Sequence, residues 1–191
     1  MSTEERKTIY LCLARMSEEG YEQKYVKEAF DTNWVVPMGP NVNAFEQNLA
    51  DFANANSDGS KLARKVVCLS AGTAAVHLAL IACGVKAGDE VCVQSFTFCA
   101  SSHPITYLGA KPVFIDSERE TWNMDPELLE KAIIERKAAI GKYPKAIIPV
   151  ALYGMPYDCE RIMAIADKYG IPVIEDAAEG LGSRFNGQVL G

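Results

Sequence analysis

Two adjacent carboxylates, Glu175 and Asp176, are the strongest candidates for chemistry in this sequence. They stand at the end of an apolar run whose β-branched residues predict a buried strand over Pro172–Glu175. A carboxylate at the C-terminal end of such a strand lies where α/β sheets bind ligands. In a second interpretation, Asp176 only caps the next turn. Because neighbouring side chains on a strand point to opposite faces, the two carboxylates are not expected to share a proton.

The junction Ser70–Thr73 is a candidate phosphate site, because it joins an apolar run to a helical pattern. The N-terminus of a helix offers unpaired N–H groups and a partial positive charge. Gly72 would let the phosphate approach the backbone, and the Thr73 hydroxyl could add a hydrogen bond. Ordinary packing of a small-residue turn is the alternative. No Gly-Lys-Ser/Thr follows, which excludes a P-loop, and at Gly180–Gly182 a dinucleotide fingerprint fails because Phe185 replaces its third glycine.

A third candidate lies at Ser95–Phe98, after the next predicted strand. An aromatic ring there could lie flat on a ligand ring and contribute about 1 kcal/mol by stacking, although for Phe96 a core position is preferred. Three strand ends thus offer a phosphate-binding turn, an aromatic face and a carboxylate. A pyridine ring that bears a phosphate requires these groups, because an Asp paired with the ring nitrogen keeps it protonated and makes the ring an electron sink.

From Lys65 onward, apolar segments of strand length alternate with helical patterns. This order predicts an α/β fold of three αβα layers, with a mostly parallel sheet and helices on both faces. The helix over Thr73–Cys83 is apolar on nearly every side and is therefore expected to be buried. The predicted strands are 66–69, 90–94, 112–116, 146–152 and 172–175, and the helices are 73–83, 98–108, 125–139 and 158–169.

The two ends of the chain depart from this alternation. Residues 1–40 are predicted to form an arm, a helix and a loop, Asn33–Pro40, that faces a substrate or a second subunit. A packed connector is the alternative for this loop. Residues 41–191 begin with a further helix and form the main domain. Residues 180–191 predict a hairpin with an Asn186-Gly187 turn. Because the pattern stops just after this turn, the chain is expected to be the N-terminal part of a longer protein.

Composition and charge argue against several classes of protein. The net charge of −6 disfavours a surface for nucleic acid or for an anionic membrane. No apolar run is long enough to span a bilayer and none resembles a signal peptide, so a cytoplasmic location is expected. The six cysteines include no C-x-x-C pair and fall mostly in apolar runs, which favours reduced, buried thiols. With only two histidines, a His-rich metal site is not expected.

Four segments, in this order, resemble the DegT-type sugar nucleotide aminotransferases, which are pyridoxal phosphate (PLP) enzymes of the aspartate aminotransferase fold. The segments are Ser70–Leu80 (SAGTAAVHLAL), Gly88–Phe98 (GDEVCVQSFTF), Gly109–Asp116 (GAKPVFID) and Ile174–Gly182 (IEDAAEGLG). The loop Trp34–Phe45 (WVVPMGPNVNAF) is also similar to that family. The resemblance covers almost the whole chain and implies the large, PLP-binding domain of such an enzyme, incomplete at its C-terminus.

The resemblance implies roles for five residues. Gly72 and Thr73 would contact the cofactor phosphate. Phe98 would stack on the pyridine ring, and Asp176 would pair with its nitrogen as the catalytic carboxylate. Glu179 would lie near the ring hydroxyl, although many relatives have Gln or His at this position.

The resemblance also implies an activity and its partners. A homodimer would transfer an amino group from an amino acid, glutamate, to a nucleotide-linked keto sugar in the biosynthesis of a surface polysaccharide or glycan. In the family, a Schiff-base lysine lies beyond the Asn-Gly turn, and it is not present in this chain; many members also have His at the position of Ala151. The segment 1–191 alone is therefore expected to be inactive. Four other lysines do not lie in the sequence motif that surrounds the Schiff-base lysine of the family, and they are expected to be surface residues: Lys111, Lys142, Lys145 and Lys168.

Two other functions stay open from the sequence. A keto-sugar dehydratase of the same superfamily has His in place of the lysine, so the residue at that position separates it from an aminotransferase. A non-catalytic α/β module that binds a nucleotide sugar is the second alternative. It predicts that the complete protein takes up no PLP.

Overall fold

The computed structural model describes residues 15–55 and 63–191 of the chain. Most of the predicted N-terminal arm lies outside the described residues. The chain divides into two compact units, Met1–Phe45 and Glu46–Gly191. Every strand of the described residues belongs to the second unit.

The first unit contains α1 (Tyr21–Asp31), and α2 (Pro40–Asn54) begins there. The Tyr21 N–H donates to Ser17 Oγ at 2.9 Å, so a serine outside the helix helps to satisfy the first turn of α1. In the loop between the helices, Trp34 Nε1 donates to Met38 O at 2.7 Å. The predicted helix over residues 41–53 is confirmed as α2.

The second unit is built on a parallel sheet in the order β2-β1-β3. Its strands are β1 (Glu90–Gln94), β2 (Lys111–Ile115) and β3 (Ala146–Ile148). The sheet confirms the predicted strand over 90–94 and places the next one residue earlier than 112–116. The third strand is shorter than the predicted 146–152, because the chain turns into a short 3-10 helix at Leu152–Gly154.

The segment that ends in Asp176 occupies the fourth position of the sheet, beside β3. It pairs through two isolated parallel bridges, Ile147 with Val173 and Val150 with Asp176, so the predicted strand over 172–175 is present as two separate contacts. The ladder is interrupted between these bridges because Pro149 has no N–H to donate. The Asp176 backbone is nevertheless fixed, since its N–H donates to Pro149 O at 3.0 Å.

Helices cover both faces of this sheet and create two apolar cores. On one face, α3 (Gly72–Ala82) and α4 (His103–Tyr107) pack over Val91 and Val93. On the other, α5 (Pro126–Ile140) and α6 (Cys159–Tyr169) pack over Cys92. The alternation along β1 follows from the period of two in a strand, and it confirms the predicted αβα layers.

A short hairpin follows the fourth sheet segment. Strands β4 (Arg184–Phe185) and β5 (Gln188–Val189) are antiparallel. Asn186 and Gly187 connect them with φ values of 49° and 81°, the left-handed pair that a two-residue turn requires. The predicted Asn-Gly hairpin is therefore confirmed.

Several sequence predictions are wrong in whole or in part. Phe96 does not occupy a core position, because it follows β1 at the edge of the sheet and is 45% exposed. Residues 66–69 form no strand: Val67 is 73% exposed, and the Cys68 N–H donates to the Glu46 carboxylate at 2.8 Å instead of to a strand ladder. Helix α3 is not buried on all sides, because only one face contacts the sheet; Leu78 and Ile81 are half exposed. The helix predicted over 98–108 is divided into a 3-10 turn, Cys99–Ser101, and α4, with Pro104 in the first turn of α4.

The described residues contain neither a helix suited to crossing a membrane nor a cluster of metal-binding side chains. Within 15–55 and 63–191, no helix has the length and apolar character needed to cross a bilayer. The same ranges hold no group of three or more His, Cys, Asp or Glu that could bind a metal ion. The five described cysteines are free, but only Cys92 is buried as predicted; Cys99 is exposed, and the three that are partly exposed are Cys68, Cys83 and Cys159.

Candidate active site

Asp176 lies at the C-terminal edge of the sheet, where a buried serine holds its carboxylate. Ser101 Oγ, on a residue that is 1% exposed, donates to Asp176 Oδ2 at 2.5 Å. Thr97 Oγ1 lies 2.8 Å from Ser101 Oγ, and the Ala178 N–H donates to Asp176 Oδ1 at 3.2 Å. Both carboxylate oxygens therefore have donors, which fixes the side chain in one orientation.

Phe98 shares the turn that supplies this serine. It directly precedes the 3-10 turn, and its carbonyl accepts from the Ser101 N–H at 3.1 Å. Its side chain is 75% exposed, so the ring has an open surface at this edge. Phe98 and Asp176 are thus joined through one serine, as a shared site requires.

Glu179 is exposed and belongs to the loop that follows Asp176. Its Oε2 accepts from the Tyr153 N–H at 2.5 Å, which joins this loop to the end of β3. The side chain of Ala151, two residues before Tyr153, is fully buried and contributes no polar group. Glu179 therefore lies at the same edge of the sheet as Asp176.

Gly72 and Thr73 form the first turn of α3. The first helical hydrogen bond runs from the Ala75 N–H to Ala71 O at 3.1 Å, so the preceding N–H groups have no acceptor within the helix. Ala71 has no side chain that could cap them. A Cβ added at Gly72 would meet no atom within 4 Å, so the space beside this turn is open.

The structure connects these predicted residues to different degrees. Asp176 and Phe98 share one hydrogen-bonded unit, and Glu179 lies on the loop that follows it. Gly72 and Thr73 are placed by α3, which packs against the 3-10 turn that carries Ser101. Among the described hydrogen bonds, none joins the first turn of α3 directly to Asp176.

Sequence reasoning missed the residues that position the site. Ser101 was an unremarked serine in a predicted helix, and its spacing of three from Phe98 is the only sequence signal for it. Gln94 and Asn123 are also buried, at 0% and 1% exposure. A polar Gln at the end of the apolar strand β1 was a visible signal, because an uncompensated buried amide is costly.

Gln94 and Asn123 form a buried amide pair that ties several loops together. Gln94 Nε2 donates to Phe96 O at 2.9 Å and lies 3.4 Å from Asn123 Oδ1. Asn123 Oδ1 accepts from the Leu152 N–H at 3.0 Å, and its Nδ2 donates to Met155 O at 2.9 Å. The loops after β1, β2 and β3 are therefore held to one another at this edge.

Glu175 has partners that differ from those of Asp176. Burial raises the pKa of Glu175, and its Oε1 has no hydrogen-bond partner among the described residues. Its Oε2 accepts from the Gly191 N–H at 3.0 Å. Burial, with a contribution from the Glu175 charge, raises the pKa of Cys159 to about 11 and also raises that of Tyr157. The two adjacent carboxylates thus lie in separate environments.

The four lysines without family context lie away from Asp176. Lys111 begins β2 and Lys145 directly precedes β3, so both stand at the N-terminal edge of the parallel sheet. Lys142 and Lys168 form ion pairs with Asp89 and Glu130, at 2.9 Å and 2.7 Å. None of these four lysines joins the candidate site.

A separate cavity belongs to the first unit. It has a volume of about 320 Å³, and the loop between α1 and α2 lines it with Trp34, Val36 and Met38. A Cβ at Gly39 would lie 2.0 Å from Trp34 Nε1, so only glycine permits the indole to close over this loop. The predicted substrate or dimer role of this loop stays a prediction.

The donor set around Asp176 fits PLP. The fixed carboxylate is an anionic acceptor suited to a protonated ring nitrogen, and the exposed Phe98 offers a ring face. The uncapped first turn of α3 provides N–H groups and open space for a phosphate.

Comparison with known proteins points in the same direction. Residues 16–191 match the DegT/DnrJ/EryC1/StrS aminotransferase family. The chain is 50% identical to EpsN of Bacillus subtilis (strain 168), assigned as a pyridoxal phosphate-dependent aminotransferase, over 97% of this chain and 45% of that protein. It is 44% identical to the UDP-2-acetamido-2-deoxy-3-oxo-D-glucuronate aminotransferase of Pseudomonas aeruginosa, over 79% of this chain and 38% of that protein.

A solved structure shares the fold. The chain superposes on NtdA from Bacillus subtilis with bound cofactor PMP, with a TM-score of 0.73 and 31% identity, over 87% of this chain and 35% of that one. The chain therefore spans less than half the length of the relatives that it matches. The fold, the order of the motifs and the extent of the match establish that this chain belongs to the DegT/DnrJ/EryC1/StrS aminotransferase family.

Proposed function

We propose that the full-length protein is a PLP-dependent aminotransferase that acts on a nucleotide-linked keto sugar. The observation that carries this proposal is the Asp176 carboxylate, held by Ser101 at a sheet edge that also presents Phe98. The P. aeruginosa relative, named for amino transfer to a UDP-linked oxo sugar acid, supports the substrate class. Glutamate is proposed as the amino donor, and surface polysaccharide or glycan biosynthesis as the pathway.

The residues of this chain would bind and polarise the cofactor. PLP, when bound, supplies the electron sink that stabilises negative charge at the carbon that exchanges its amino group. Asp176 would hold a proton on the ring nitrogen, and Phe98 would fix the plane of the ring. Gly72 and Thr73 would bind the phosphate through N–H groups and one hydroxyl. Glu179, already a partner of the Tyr153 N–H, would lie near the ring hydroxyl.

We also propose that the full-length protein works as a homodimer. The support is the half-exposed apolar side of α3, which includes Leu78 and Ile81 and has no cover within the described part of the chain. Burying such side chains at an interface is favourable, by about 25 cal/mol for each Å² removed from water. A cytoplasmic location is proposed with this assignment.

Covalent trapping tests the proposed function. The full-length protein is loaded with PLP, reduced with borohydride, digested and mapped by mass spectrometry. We expect a label on one lysine outside residues 1–191, and no label on Lys111, Lys142, Lys145 or Lys168. A protein that takes up no PLP would contradict the proposal and favour a binding module. Uptake without a labelled lysine, with His at that position, would instead favour a dehydratase.

A further inference from the structure

Three exposed aromatic side chains meet at the C-terminal edge of the sheet, and we call them the aromatic cluster: Phe96, Trp122 and Tyr153. The centroid of the Phe96 ring lies 6.1 Å from that of Trp122 and 6.5 Å from that of Tyr153. Both contacts are edge-to-face. The side chains remain 45%, 60% and 61% exposed, so much of each ring is open to a ligand.

The backbone holds two of these rings at an energetic cost. Trp122 and Tyr153 have φ values of 65° and 52°, in the left-handed region that non-glycine residues avoid. A strained backbone that presents a large apolar ring to solvent gains nothing from burial of that ring. Such outliers concentrate at ligand-binding and catalytic positions, so the arrangement points to a ligand.

The buried amide pair fixes the cluster as one unit. Gln94 binds the carbonyl of Phe96, and Asn123 directly follows Trp122 in the chain. Asn123 also accepts from the Leu152 N–H, one residue before Tyr153. Each loop that carries a ring is therefore anchored within two residues of that ring, as a preorganised binding site requires.

A cavity opens beside the cluster. Its volume is about 670 Å³, and its lining is formed by Phe96, Trp122, Asp116, Ser117, Glu118 and Arg119. This volume lies within the range of small-molecule sites. The aromatic walls suit a flat ring, the carboxylates of Asp116 and Glu118 suit the N–H groups of a base, and the guanidinium suits a phosphate.

The aromatic cluster is also connected to the candidate active site. The Tyr153 N–H donates to Glu179 Oε2 at 2.5 Å, so the segment that carries one ring of the cluster also contacts the loop that follows Asp176. In a nucleotide sugar, the sugar and the diphosphate separate the base from the reacting carbon. A base subsite is therefore expected beside the cofactor pocket and not within it, in agreement with this connection.

We propose that the aromatic cluster binds the nucleobase of the nucleotide-sugar substrate, with Trp122 as its principal stacking surface and Arg119 at the diphosphate. This inference rests on the proposed function, because it assigns a subsite for that substrate. A concave cavity with mixed polar and aromatic walls suits a nucleotide better than a flat protein surface would. The cluster also explains how specificity for the nucleotide can be separated from the transfer chemistry at Asp176.

Nucleoside diphosphate binding to the PLP-loaded full-length protein tests this assignment. UDP, GDP and dTDP are titrated by calorimetry into the wild type, Trp122→Ala, Trp122→Gly and Tyr143→Ala. Tyr143 is the control, because it is an aromatic of 40% exposure that lies before β3, at the opposite edge of the sheet. Trp122→Gly removes the ring while relieving the left-handed backbone, so its fold is expected to be preserved.

We expect at least one diphosphate to bind the wild type, and both Trp122 variants to bind it about ten-fold more weakly. Tyr143→Ala should bind like the wild type. The conversion of bound cofactor by glutamate needs no nucleotide, so it should proceed at the wild-type rate in the Trp122 variants. Unchanged diphosphate affinity in both Trp122 variants, or no binding of any of the three probes to wild type, would overturn the inference. Loss of the glutamate reaction in the wild type would instead contradict the proposed function.

Discussion

Asp176 depends on a hydroxyl that the sequence pattern did not single out. Ser101 Oγ donates to Asp176 Oδ2 at 2.5 Å from a fully buried position, so water cannot easily replace it. Hydrogen bonds to charged groups contribute about 1.5–3 kcal/mol. We therefore propose Ser101 as a positioning residue, which would act on the cofactor through the carboxylate.

Replacement of this serine should weaken cofactor binding. In the full-length protein, we expect Ser101→Ala to lower PLP affinity about ten-fold, because Asp176 loses a charge-assisted donor. Ser101→Thr, which keeps the hydroxyl, should retain most of the wild-type PLP affinity. The control is Ser102→Ala, since the described hydrogen bond of that hydroxyl is to the exposed, local Cys99 O at 3.3 Å. Equal PLP affinities for Ser101→Ala and Ser102→Ala, measured by titration of cofactor fluorescence, would argue against the role of Ser101.

Glu175 should make stability depend on pH. Its folded pKa is raised above the ordinary 4.5, so the folded state holds the proton more tightly than the unfolded state. The free energy of unfolding should therefore fall as pH rises from about 4.5 through the raised folded pKa, and then level off. Arg64 and the Gly191 N–H oppose the shift only in part.

The variant Glu175→Gln isolates this effect. We expect it to raise the melting temperature at pH 8 and to leave it nearly unchanged at pH 4, because the amide carries no charge to desolvate. Glu135→Gln is the control, since that carboxylate is exposed and its only described ion pair spans 3.9 Å. Thermal unfolding at both pH values provides the measurement, and a lower melting temperature at pH 8 in Glu175→Gln would contradict the account.

At the scale of elements, helix α5 has the clearest local determinants. Asp125 caps it by accepting from the Glu127 and Leu128 N–H groups at 2.7 Å and 3.2 Å. We expect Asp125→Ala to lower the free energy of unfolding by about 1 kcal/mol. Asp167→Ala is the control, because Asp167 lies in the last turn of α6, where the helix dipole disfavours a negative charge. This variant should leave the free energy of unfolding unchanged or raise it slightly. Denaturant titration compares the two, and equal losses would mean that the cap contributes nothing specific.

The buried amide pair should behave as a single unit. We expect Asn123→Leu to lower the free energy of unfolding by about 2 kcal/mol, because the Leu152 N–H and Met155 O lose their partner in the interior. Gln94→Leu should lower it by a similar amount. The loss in the double variant should be smaller than the sum of the two single losses, since the effects of substitutions within one network are not additive. Additive losses in a double-mutant cycle by denaturant unfolding would show that the two amides act independently.

The elements that could be predicted from the sequence are those with local signals. The start of the helix predicted over 125–139, the Asn186-Gly187 turn and the apolar run of β1 each depend on residues that are close in sequence, and all three are confirmed. The strand predicted over 66–69 is wrong because a strand also needs a neighbouring strand to pair with, and a local pattern does not reveal that partner. The contact of Ser101 with Asp176 spans 75 positions, so no local pattern could reveal it.

At the scale of the whole molecule, the family fold explains why the candidate site residues lie at one sheet edge. Parallel strands align their C-terminal ends, and there the chain places Asp176, Phe98 and the aromatic cluster. The described lysines of the opposite edge have surface roles, in ion pairs such as that of Lys142 with Asp89. Amino transfer by the full-length protein is therefore proposed to combine this edge with a lysine outside residues 1–191.

The most direct test of this account is the rate at which glutamate converts bound PLP in the full-length protein, followed by cofactor absorbance in a stopped-flow instrument. We expect the wild type to react and Asp176→Asn to react about 100-fold more slowly, because the ring nitrogen loses its anionic partner. Asp167→Asn, an exposed carboxylate of α6, should react like the wild type. Equal rates for the wild type and Asp176→Asn would contradict the assignment of this sheet edge as the cofactor site.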